Sequence, residues 1–164
     1  MPPVVDASVV VDALVGVGPA GDGARAELRD RTVLQVPGIF AAEATSALRA
    51  LTRRGALSPI RATAALGQLR RLRIVQYPFE PFSARAWDLR DTITVYDAWY
   101  VALAEWLGAD LVTADERLLG ASGPRCAIRR VGAGGCPSAR TGPGRPPPVS
   151  GPAARRRSPA APGR

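Results

Sequence analysis

Short apolar runs alternate with helically spaced ones along the first 131 residues. Val4-Val5 predicts a strand ending at Asp6, and Ser8 is placed to cap a helix opening on Val9-Val10-Val11. A polar helix is predicted over residues 21–31, then a strand over Val33–Val36 stopped by Pro37-Gly38. The spacing from Ile39 to Arg54 is helical, with Gly55 just past its end. Ser58-Pro59 pairs a cap with a proline that a first helical turn accepts, opening a helix to Leu72. Further expected elements are a strand over Arg73–Gln76, a helix over Phe82–Arg90 and a helix over Tyr96–Leu107 closed by Gly108. A strand over Asp110–Thr113, a short helix from Asp115 to Leu119 and a strand over Ala127–Val131 follow. This alternation predicts a three-layer α/β fold, with helices flanking a central parallel sheet of about five strands. No internal repeat interrupts it.

One position breaks the pattern. In the helix predicted over 96–107, apolar residues recur at Tyr96, Trp99, Tyr100, Leu103, Trp106 and Leu107. Asp97 shares its flank with Val101 and Ala104, so that side does not read as a solvated face either. A charge there is costly unless a cation or a hydrogen-bond donor stabilises it. No arginine stands three or four residues away to pair with it.

Composition narrows the chemistry. Among 164 residues there is no His, and all 22 basic residues are Arg. That removes Ser-His-Asp and Cys-His sites, His-ligated zinc, the P-loop and Schiff-base lysines. Carboxylates, hydroxyls, two cysteines and oxygen-preferring metals remain. Cys126 and Cys136 match neither a CxxC pair nor a zinc framework and read as ordinary cytosolic thiols. No secretory leader and no membrane-spanning run is expected, which makes a cytoplasmic protein the default.

The charge divides unevenly. Residues 1–131 hold all 14 acids and 16 of the 22 arginines, whereas residues 132–164 hold six arginines and no acid. The second segment is Gly, Pro, Ala, Ser and Arg almost throughout, and its composition predicts a disordered tail following one domain over 1–131. It reads either as an electrostatic arm for nucleic acid or as a tail without a role.

Four acids fall at strand ends or helix starts. Asp6 ends the first predicted strand, Asp115 follows the fourth, Glu43 lies early in the second-strand helix and Asp97 opens the helix before the fourth strand. In open α/β sheets, ligands bind along the edge formed by the carboxyl ends of the strands. Carboxylates converging there without a cation invite a divalent metal, and an all-oxygen set without His favours Mg²⁺ or Mn²⁺ over Zn²⁺. Such an ion suits phosphate chemistry. Each acid by itself also fits a helix cap or a surface position.

The ordered set resembles the PIN-domain nucleases, and within them the VapC-type toxins of bacterial toxin–antitoxin pairs. It comprises Val4-Val-Asp-Ala-Ser8, Pro37 with Ala42–Leu48, Thr94–Glu105 and Ala109–Asp115. The resemblance implies a Mg²⁺-dependent ribonuclease, with Asp6 and Asp97 as main metal ligands and Glu43 and Asp115 completing the cluster directly or through water. It implies Ser8 and Thr113 as supporting hydroxyls, a homodimer, and a cognate antitoxin that covers the site. Position 46, often Asn in the family, is Ser here. Arg49, Arg53, Arg54, Arg61, Arg70 and Arg71 flank the two helices between Ile39 and Leu72. That pair would contact RNA phosphates, form a solvated face or serve as the dimer contact. The competing classes are a PIN-fold module that binds RNA or antitoxin without activity, and a receiver-like phosphate acceptor. The latter needs a Lys beside its acids.

Overall fold

The computed structural model describes residues 2–29 and 31–131. The predicted disordered tail at 132–164, with Cys136, lies outside the described residues.

Five strands form one parallel sheet: β1 (Val4–Val5), β2 (Leu34–Pro37), β3 (Ile74–Tyr77), β4 (Leu111–Thr113) and β5 (Ile128–Arg130), in the order β3-β2-β1-β4-β5. Val4 pairs with Gln35 on one side and Leu111 on the other, and Val5 with Val112. Successive side chains of a strand point to opposite faces. Val4 and Leu111 accordingly enter one apolar cluster, and Val5 and Val112 the other.

The Val5 side packs against α1 (Ala7–Val15), α2 (Gly18–Arg29), α3 (Phe40–Arg53) and α4 (Pro59–Leu69). The Val4 side packs against α5 (Ser83–Asp88) and α6 (Val95–Leu107). A short α7 (Glu116–Leu119) follows β4. The result is the expected three-layer arrangement of helix, sheet and helix.

Local differences from expectation have local causes. Asp6, not Ser8, caps α1: its extended backbone (φ −67°, ψ 149°) lets its carboxylate accept the Ser8 N–H. α2 begins earlier, at Gly18. α4 stops at Leu69, and the helix expected over Phe82–Arg90 resolves into a 3-10 turn at Glu80–Phe82 followed by α5. Gly55 and Gly108 behave as expected, both at positive φ (73° and 60°) just past α3 and α6. That conformation costs glycine nothing and suits a helix end.

α6 runs deep in the molecule. Every residue from Ala98 to Ala104 is buried. Tyr96, expected on the apolar stripe, is instead 58% exposed, because it lies in the first turn before the helix enters the core.

Candidate active site

The chain leaves β1 toward β2 and β3 on one side, and reaches β4 and β5 on the other. The strand order therefore reverses between β1 and β4, and a crevice opens at their carboxyl ends. Asp6 follows β1 directly, and Asp115 lies two residues past Thr113, the end of β4.

Asp6 is held by three donors. Its Oδ1 accepts the Ser8 N–H at 3.2 Å, and its Oδ2 accepts the Ser8 hydroxyl at 2.9 Å and the Thr113 hydroxyl at 2.6 Å. The two hydroxyls are themselves fixed: Ala114 N–H donates to Ser8 Oγ, and Asp115 N–H to Thr113 Oγ1. Thr113 is fully buried. Both hydroxyls expected to support the acids thus stitch β1 to the segment after β4.

Glu43 extends from the first turn of α3, and its Oε2 accepts the Tyr100 hydroxyl at 2.6 Å. Burial pushes its carboxyl above the usual range; Tyr100 opposes the rise, and the nearby charges of Asp6 and Asp97 add to it. Asp97 lies in the first turn of α6. Thr94 caps that helix by accepting Asp97 N–H, and its hydroxyl donates to Asp97 Oδ2 at 2.6 Å. Burial raises Asp97 as well, with Asp6 and Asp115 contributing and Thr94 opposing.

Asp115 differs from the other three. It caps α7, and the Arg117 guanidinium donates to its Oδ2 at 2.6 Å. That bond holds its carboxyl below the usual range.

The charges of Asp6 and Asp97 thus reach Glu43, and those of Asp6 and Asp115 reach Asp97. They do not close into a cage: among the described residues no three acidic, His or Cys side chains stand close enough to hold a metal ion. Each carboxylate is drawn to its own donor instead. The donor set nevertheless fits a hard divalent cation, being all carboxylate oxygen, partly desolvated and mutually repelling.

Three contributors were not foreseen. Thr94 was legible, since Thr-x-x-Asp ahead of an apolar run is a capping signature. Arg117, two residues after Asp115, was a weaker clue. Tyr100 carried no signal, because along the chain it is one more apolar residue of the helix. Of the flanking arginines, Arg49 and Arg53 line a groove of about 320 Å³ between α3 and α4, with Leu48 and Leu66. Burial pushes the Cys126 thiol up to about 12, which disfavours its thiolate.

The sequence profile of the PIN domain matches residues 4–123. Ribonuclease VapC3 of Mycobacterium tuberculosis is 43% identical over 115 residues, spanning 70% of this chain and 83% of that protein. Ribonuclease VapC9 of the same organism is 40% identical over 128 residues, spanning 78% of this chain and 97% of that protein. Among solved structures, VapBC2 from Rickettsia felis, bound to a DNA fragment from its promoter, shares the fold. Its TM-score is 0.54 at 15% identity, covering 77% of this chain and 96% of that one. The chain belongs to the PIN-domain family and, within that family, to the VapC ribonucleases.

Proposed function

We propose that this chain is the toxin of a toxin–antitoxin pair, an endoribonuclease that hydrolyses RNA phosphodiester bonds at the crevice between β1 and β4. The observation that supports this reading is the placement of Asp6 directly after β1, Glu43 in the first turn of α3 and Asp97 in the first turn of α6, each carboxylate held by a hydroxyl, from Thr113, Tyr100 and Thr94. The named ribonuclease relatives support the same activity.

Asp6, Glu43, Asp97 and Asp115 are the residues proposed to hold Mg²⁺, or Mn²⁺ in its place. A bound ion of this kind supplies an activated water and stabilises negative charge on the phosphate. The chain's own residues set the stage. Ser8 and Thr113 fix the Asp6 carboxylate against rotation. Tyr100 orients Glu43 from the buried side, and Thr94 orients Asp97. Asp115 joins the set once its carboxylate leaves Arg117.

The proposed partners are an RNA substrate, a cognate antitoxin and a second copy of the chain, in the cytoplasm. Among the described residues no helix is long and apolar enough to cross a membrane. The deciding experiment incubates purified protein with RNA, with Mg²⁺, with EDTA, and with Mg²⁺ restored. EDTA-sensitive cleavage that returns on restoring the ion is expected. A protein that binds RNA or antitoxin but never cuts would be the inactive module instead.

A further inference from the structure

A hollow of about 380 Å³ opens beside Asp97, lined in part by Arg90, Asp91, Thr92, Thr94 and Arg117. Its volume lies within the usual range for ligand sites. Arg90 comes from the turn after α5 and Arg117 from α7, so two cations reach the same hollow from separate elements. Both hold their partners at the surface. Arg117 is 87% exposed and forks onto both Asp115 oxygens, at 3.1 and 2.6 Å, a solvent-facing pair whose fork a phosphate's two oxygens match as well as a carboxylate's. Arg90 rests with its guanidinium 4.9 Å over the exposed Trp87 ring, donates to Trp87 O at 2.9 Å and faces Asp91 at 3.3 Å.

An acidic edge repels a polyanion, so a nuclease built on carboxylates needs cations beside them to seat its substrate. Arginine's planar fork matches two phosphate oxygens at once. We propose that this hollow is the phosphate subsite of the RNA strand: Arg117 exchanges Asp115 for a phosphate oxygen next to the cleaved bond, and Arg90, steadied by Trp87, grips a neighbouring phosphate. The inference rests on the ribonuclease reading above. It also gives that exchange a consequence, since the same movement frees Asp115 to join the other acids.

The test measures binding apart from cutting. A fluorescein-labelled single-stranded RNA oligonucleotide is titrated with the full chain in EDTA, by anisotropy, over a range of salt concentrations. Arg117→Ala and Arg90→Ala should each weaken binding by about tenfold, the loss of a charge-assisted contact. Each should also flatten the dependence of log affinity on log salt by about 0.7. Arg117→Lys keeps the charge and should keep most of that slope. In cleavage assays KM should rise, with kcat changed far less. Binding without cutting in the unaltered chain, with the losses in the alanine variants as expected, would defeat the ribonuclease reading and leave Arg90 and Arg117 as phosphate contacts of a strand that is held but not cut. Unaltered affinity and slope in the double alanine variant would overturn the inference. So would a loss confined to kcat, which would make Arg117 only a clamp on Asp115, or an unaltered chain with no measurable RNA affinity.

Discussion

The Tyr100 hydroxyl donates to Glu43 Oε2 at 2.6 Å, joining α6 to α3 across 57 positions of sequence. Tyr100 is 1% exposed, so its hydroxyl has no solvent to turn to, and Glu43 is its partner. The bond lowers the proton affinity of a carboxyl that burial raises. Tyr100→Phe removes that opposition. The acidic limb of the pH profile of kcat/KM should therefore move to higher pH, because Glu43 then ionises later. Leaving the half-buried acceptor unpaired should also cost about 1 kcal/mol in denaturant unfolding. An unmoved acidic limb would separate Tyr100 from the chemistry.

Asp97→Asn should abolish RNA cleavage while leaving the fold intact. The folded protein holds Asp97 above its ordinary 3.8, so the ionised form is disfavoured on folding, and this penalty is relieved as pH falls toward the folded value. Asparagine resembles the neutral form, and its side-chain oxygen can still accept from Thr94. Thermal unfolding at neutral pH should show a Tm no lower than that of the unaltered chain. Retained Mg²⁺-dependent cleavage would refute the assignment.

Away from the site, Glu27 on α2 accepts from Arg129 of β5 at 2.6 and 2.8 Å and also pairs with Arg31. The Arg129 hydrogen bond is the main cause holding its carboxyl below the ordinary 4.5. A lowered folded value contributes stability that is fully present above 4.5 and is lost as pH falls through the folded value. Glu27→Gln should cost about 2 kcal/mol at neutral pH, between the values for exposed and buried pairs. The variant should also lose less Tm than the unaltered chain on acidification, measured by circular dichroism.

Removing residues 133–164 should leave cleavage and thermal stability unchanged, since β5 closes the sheet at Arg130. A parallel loss of activity and Tm would show that the segment contributes to both.

The linear pattern was enough for the order of elements, for the parallel sheet and for where the four acids fall along those elements, because each depends on local spacing. Period-2 and period-3.6 patterns place strands and helices, and Asp6 and Asp115 adjoin the strand ends that spacing predicts. Hydroxyl support from Ser8 and Thr113 was legible too, through the family resemblance. Only the tertiary structure decided what each acid touches. Tyr100 reads as an apolar helix residue until α6 and α3 pack together and aim its hydroxyl at Glu43. Arg117 pairs with Asp115 through the conformation of one short helix cap. Such contacts depend on how separate segments meet in space, and a short, directional hydrogen bond leaves no trace in residue spacing.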